Sequence, residues 1–224
     1  MRHCTTPTLP ALRHLAVAGV MSLALIAALG SAQAAPEAAF EPAFQTFMRA
    51  AGGDKAAVDR AADEFAALSK AEPASPVLLA YAGAAEAMRA GTTMLPWKKM
   101  SHAEDGMAQL DKALAMLTPA QDAPLQHGTP GTLEVKLVAA NTFLAVPGFM
   151  NRGARGAKLL NEVLASPLFA TAPLPFKGQV WMRAAALAAK EERSADAKRY
   201  LNEVIAQGAP QAEAAKAKLK DISA

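Results

Sequence analysis

The sequence predicts an all-α protein. Three observations carry this reading. The chain is 52% hydrophobic but only 5% aromatic, and alanine and leucine rather than β-branched residues supply the apolar content, which favours helix over sheet. Glycine, proline and N-cap residues cut the chain into segments of helix length. A single cysteine among 224 residues excludes a disulfide framework or a cysteine-rich zinc module. High apolar content with a formal net charge of only +3 also excludes a disordered chain.

Residues 1–35 read as a secretory signal. Arg2 and Arg13 form the positive region, residues 15–30 (LAVAGVMSLALIAALG) the apolar stretch, and Ala32-Gln33-Ala34 the small-residue cleavage pattern. The apolar run falls short of the ~20 residues that cross a bilayer. An uncleaved N-terminal anchor is the competing reading, and the A-x-A ending argues against it. Cys4 precedes the apolar stretch, so it is not a lipidated cysteine that follows one. Cleavage after Ala34 leaves 190 residues with 21 Lys+Arg against 20 Asp+Glu, a formal +1. Those charges are interleaved, as in Lys190-Glu191-Glu192-Arg193, and no basic stripe of the kind a nucleic-acid surface needs is present. The signal and the absence of disulfides point to the periplasm, with full secretion as the alternative.

Residues 36–224 form one helical domain in this reading. A first helix spans 42–51 and ends at Gly52-Gly53; Asp54 caps a second, which runs to Ala71 before Pro73. Ser75-Pro76 opens a third, ending at Gly91. Ser101 and Glu104 form a capping box for a helix that reaches Leu117 and stops before Pro119. A helix over 132–145 ends before Pro147, and Asn151 caps one that stops near Ser166-Pro167. Helices follow over 176–189 and from Ser194 to a stop at Gly208. Pro210 begins a last one reaching Asp221. The expectation is nine helices and no strand.

The second helices of successive pairs share a pattern. The runs LNEVLA from Leu160 and LNEVIA from Leu201 differ at one position, and LDKALA from Leu110 fits the same frame. Four residues before each leading leucine stands a small residue: Gly106, Gly156 or Ala197. Ala61, Phe65 and Leu68, then Pro73, repeat the arrangement. Small at i, large at i+4 and apolar at i+7 lie on one helix face. The small residue admits a neighbouring helix, and a hairpin with that face buries it only by stacking on the next.

These residues resemble the tetratricopeptide repeat, in which a small residue is followed by a bulky one four later, an alanine three beyond and a closing proline. Ala61, Phe65, Leu68 and Pro73 match that spacing, with Leu68 in place of alanine; Gly106, Leu110 and Ala113 match without the proline. Tyr81-Ala82-Gly83 and Gly91 look like a first helix of such a repeat. The consensus repeat has about 34 residues, whereas Phe65, Leu110, Leu160 and Leu201 are 45, 50 and 41 apart. The resemblance implies a tetratricopeptide-like right-handed solenoid of about four hairpins plus a C-terminal capping helix. A compact bundle of other connectivity is the alternative.

Catalytic and metal constellations are sparse. His102 and Asp105 at i and i+3, with His127, offer ligand types without a recognised zinc spacing. The ordinary reading puts His102 in an exposed first turn and His127 in a polar loop. The glycines of 148–153 match a phosphate loop by spacing alone, since Ala154 stands where Lys-Ser or Lys-Thr is needed. Asp63-Glu64 and Glu191-Glu192 are adjacent in sequence and point to different helix faces. No enzyme, cofactor or metal is expected.

Two segments between helices stand out, 92–100 and 146–152. In a solenoid both emerge on one edge, bringing Met94, Trp97, Met100, Phe149 and Met150 beside Lys98, Lys99, Arg152 and Arg155. Trp, Met and Arg are enriched at interaction surfaces. The competing reading has these apolar residues folding back to plug the stack. The groove of the first helices, with Tyr81, Glu86, Met88 and Arg89 around it, is a second candidate. The expected function is a non-catalytic adaptor or assembly factor that binds another envelope protein or peptide. The alternative is a carrier of an anionic or lipid-like ligand at the Trp97/Phe149 edge. Lys98-Lys99 adds only weak attraction to a membrane surface, at ~1 kcal/mol per basic residue.

Overall fold

The computed structural model describes residues 37–223; the expected signal segment lies outside the described residues. Ten α-helices are present and no strand among those residues: α1 (Glu37–Ala51), α2 (Lys55–Ala71), α3 (Pro76–Arg89), α4 (Pro96–Ala115), α5 (Gly131–Ala145), α6 (Gly153–Ala165), α7 (Pro167–Thr171), α8 (Leu174–Lys190), α9 (Ser194–Ala206) and α10 (Ala212–Ser223). The pairs α1/α2, α3/α4, α5/α6 and α8/α9 are helical hairpins. Each helix of a pair packs on its partner, α2 also packs on α3, and α10 packs on α9. First helices also meet one another: α1 touches α3, and α3 touches α5.

The capping chemistry explains most boundaries. The Asp54 side chain accepts from the Ala56 amide, and Ser75 accepts from Leu78 with Pro76 in the first turn. Gly53 and Gly208 turn the chain with φ of +104° and +66°, a region glycine enters without steric cost. Ser166 serves a double boundary: it ends α6 and caps α7, the short tenth helix that the sequence reading omits.

Four expected boundaries are corrected. Glu37–Glu41 belongs to α1, so Pro42 lies inside that helix; burial of Phe40 in the core explains the extension. Pro96 opens α4 and Leu95 is its N-cap, without a side-chain bond. The proline's fixed φ suits a first turn, so Ser101 and Glu104 lie inside the helix and form no capping box. Instead the Ser101 hydroxyl donates to Asp105. Asn151 caps no helix; it closes a 3-10 turn over Gly148–Met150 with φ of +55°. Ser194 begins α9, whose N-cap is Arg193.

The shared face of the second helices is buried as the spacing requires. Phe65, Leu110, Leu160 and Leu201 are at most 1% exposed, as are Ala61, Ala113, Val163, Ala197 and Val204. One large hydrophobic core runs from α1 to α8. A smaller cluster, built on Ala185, Leu201, Val204, Ala209 and Ala215, joins α8 to α9 and α10. The few aromatic residues are concentrated at the N-terminal end, where Phe40, Phe44, Phe47, Phe65 and Tyr81 meet at centroid distances of 4.8–5.9 Å. No helix of the described residues is long and apolar enough to cross a membrane.

Candidate binding groove

The first helices of the four hairpins enclose a groove of about 1430 Å³. Each contributes one stripe at helical spacing: Glu41, Phe44 and Met48 from α1; Tyr81, Ala84 and Met88 from α3; Glu134, Leu137 or Val138, and Asn141 from α5; Phe176, Gln179 and Arg183 from α8. The start of α4, the loop after α5 and residues Gln211 and Lys218 complete the rim. Five of the ten methionines, Met48, Met88, Met100, Met150 and Met182, lie on its walls.

Polar side chains interrupt this mainly apolar surface at defined places. The Tyr81 hydroxyl donates to Glu134 Oε1 at 2.7 Å, and both residues are 5% exposed. Glu134 Oε2 is buried without a partner. Burial pushes the Glu134 carboxyl up to about 7, against the opposing pull of the Tyr81 bond and of nearby His127. Burial, then the proximity of Glu134, raises the Tyr81 phenol well above its usual range. Close by, Glu41 accepts from Gln45 at 2.7 Å and lies 2.6 Å from His127 Nε2; these contacts, Gln45 first, hold it below the usual carboxylate range. The His127 ring rests against Phe40 and Phe44, at 5.7 and 4.8 Å.

Arg183 enters the same groove from α8. Its Nη2 donates to the Asn141 carbonyl of α5 at 2.7 Å, while Nε is buried without a partner. No carboxylate of the described residues forms an ion pair with it. Burial lowers its pKa, but an arginine stays charged.

The residues singled out in the sequence divide into three groups. Lys99, Phe149 and Met150, with Met100, line the groove, so the start of α4 and the loop after α5 both border it. Met94 and Trp97 stand beside that rim in sequence, at 86% and 67% exposure, and Phe149 is 68% exposed; neither ring plugs the core. Lys98 is exposed. Arg152 and Arg155 instead hold Asp111 of α4, at 3.0 and 2.6 Å, and lie 5.3 and 5.4 Å from the Phe143 ring centroid. That engagement leaves Lys98 and Lys99, in the first turn of α4, as the cations of this edge.

Of the second candidate set, Tyr81 and Met88 line the groove. Glu86 and Arg89 do different work. Arg89 reaches Asp59 and Asp63 on α2, at 3.0 and 2.7 Å, as well as Glu86. Glu86 in turn lies 2.7 Å from His102 Nδ1 on α4, so this network ties three helices together. His102 therefore faces Glu86, in the second turn of a helix, while His127 lies edge-on and tilted against the aromatic corner. Among the described residues no group of three His, Cys, Asp or Glu is arranged to hold a metal ion.

Sequence reasoning missed Glu134 and Arg183. The available signal was the setting of Glu134 between Leu133 and Val135 in a segment apolar on every face, where a lone carboxylate is out of place. Comparison with known proteins adds nothing to this site: no protein-family model, curated protein or solved structure matches the chain.

Proposed function

We propose that this is an exported, non-catalytic adaptor or assembly factor of the tetratricopeptide-like kind, which holds a segment of another envelope protein in the groove between α1, α3, α5 and α8. The observation that carries the reading is the groove itself. It exceeds the roughly 300–1,000 Å³ of a small-molecule site, and its walls are mainly aliphatic, aromatic and methionine side chains. Methionine is unbranched and polarizable, so a methionine-lined surface adapts to an irregular apolar partner. The exposed Trp97 and Phe149 extend the rim with residues suited to anchor a bound segment.

The repeat-like solenoid is part of this proposal. It is supported by the packing of α1 on α3 and of α3 on α5, and by small residues where the helices of the second and third hairpins approach closely, at Gly83 with Gly106 and Gly156 with Ala140. The periplasm is proposed from the N-terminal signal pattern and the absence of disulfides.

Site-specific photo-crosslinking in the native cell tests the function. Probes replace Trp97 and Phe149 on the rim and Met88 within the groove, with a control at exposed Ala74 between α2 and α3. Discrete protein adducts from rim and groove, absent from the control, are expected and would name the partner. Adducts absent from all three positions would reject the adaptor reading.

A further inference from the structure

The groove holds a carboxyl and a guanidinium whose hydrogen-bonding capacity the fold leaves partly unused. Glu134 is 5% exposed and keeps Oε2 without a partner, and Arg183 keeps Nε without one. Leaving such groups buried and unmatched is costly, and a structural pair would have been cheaper if each had reached the other. They do not. Arg183 is held at Asn141, seven residues beyond Glu134 on α5, which is two helical turns or ~10 Å along the axis. The groove therefore has a carboxyl pole at Glu134 and a guanidinium pole at Arg183, separated by apolar wall.

The surroundings of each pole agree with its sign. At the Glu134 pole a second carboxylate, Glu41, lines the groove, engaged by His127 and Gln45 at 2.6 and 2.7 Å, and the rings of Phe44 and Phe47 lie 5.8 and 4.9 Å from that of Tyr81. Carboxylates beside aromatic rings suit an ammonium or guanidinium group and its apolar stem. At the Arg183 pole the guanidinium has no carboxylate partner in the fold, and its planar fork matches a carboxylate.

On these grounds, and resting on the groove as the seat of a protein segment, we infer that the segment is apolar and carries one basic and one acidic side chain about 10 Å apart, the basic one pairing with Glu134 and the acidic one with Arg183. The two poles fix the direction in which the segment lies along α5, which apolar contacts alone leave open.

The test is selection of random 12-residue peptides displayed against the purified protein, with the wild type, Glu134→Gln and Arg183→Gln compared. Glu134→Gln retains an acceptor for Tyr81, and Arg183→Gln retains a donor for Asn141. The expected wild-type outcome is a set of apolar peptides with one Lys or Arg and one Asp or Glu. Glu134→Gln should abolish only the basic preference and Arg183→Gln only the acidic one. A selected peptide resynthesised with acetyl-lysine should bind the wild type at least tenfold more weakly, a readout independent of variant folding. Apolar peptides selected without either charge preference, or a preference that survives its variant, would overturn the two-pole assignment while leaving the groove as a peptide site. Failure to select any peptide would overturn both.

Discussion

Gly83 of α3 and Gly106 of α4 face each other at the closest approach of two helices in the protein's second hairpin. A Cβ added to Gly106 would lie 2.5 Å from the Gly83 carbonyl oxygen, and one added to Gly83 would lie 2.7 Å from the Gly106 carbonyl oxygen. Both obstacles are backbone atoms, so no side-chain rotation relieves them. Gly106→Ala should therefore force the helices apart and lower stability by about 2 kcal/mol, overpacking outweighing the gain in helix propensity. Gly153→Ala, where nothing lies within 4 Å, is the control and should leave stability unchanged or slightly raised. Denaturant unfolding of the two variants decides this.

Leu160 is the equivalent of Leu110 and Leu201 in the repeated face and is 1% exposed. Leu160→Ala should cost about 3 kcal/mol through lost burial and a residual cavity. Leu160→Asp should prevent the α5/α6 hairpin from forming, because it puts an unpaired charge in the core. A melting temperature for Leu160→Asp equal to that of the wild type would refute the repeat frame.

The rim residues give the opposite expectation. Trp97 and Phe149 are 67% and 68% exposed, so replacing both with alanine should change stability by less than about 1 kcal/mol. Partner capture in the cell should nevertheless fall sharply. Loss of folding in the double variant, seen by circular dichroism, would assign the two rings to the core.

Glu134 makes stability depend on pH in a direction opposite to that of most carboxylates. Its folded pKa is raised from 4.5 to about 7 by burial, so the folded state holds a proton that the unfolded state releases between those values. Its contribution is fully present below pH 4.5 and is lost as pH rises through about 7, a total of ~3 kcal/mol. Tyr81, His127 and Glu41 around it are common to wild type and variant. Glu134→Gln cannot ionise, so the stability of the variant relative to wild type should rise by that amount from pH 4.5 to pH 8. Parallel pH profiles for the two proteins would show that Glu134 titrates normally.

Much of the architecture was legible because helix punctuation is local. Asp54, Ser75-Pro76 and Gly208 act through their own backbone geometry, and the i, i+4, i+7 face predicted the burial of Leu110, Leu160 and Leu201. The α4 start was misread for a physical reason: Pro96 suits both the end of a loop and the first turn of a helix, and only packing distinguishes them. The rim was half legible. Composition singled out Trp97 and Phe149 but left open whether they are exposed or fold back on the stack, and nothing local to Arg152 or Arg155 shows that Asp111, some forty residues away, engages both. Glu134 left a trace, a carboxylate between two apolar residues, whereas Arg183 left none, because its burial and its bond to Asn141 come from what faces it across the groove.

The division of the hydrophobic core into a large and a small cluster has a consequence for how the groove is filled. Gln211 and Lys218 contribute to the groove's rim, and they stand at the C-terminal end, where α9 and α10 are held by a small cluster rich in alanine. Such a unit opens at a fraction of the global unfolding free energy. That end is expected to open before the aromatic corner at the other. A protein segment of the proposed kind, still attached to folded domains, would then be laid in from that end without being threaded. In amide exchange this would show as α10 opening well before α3.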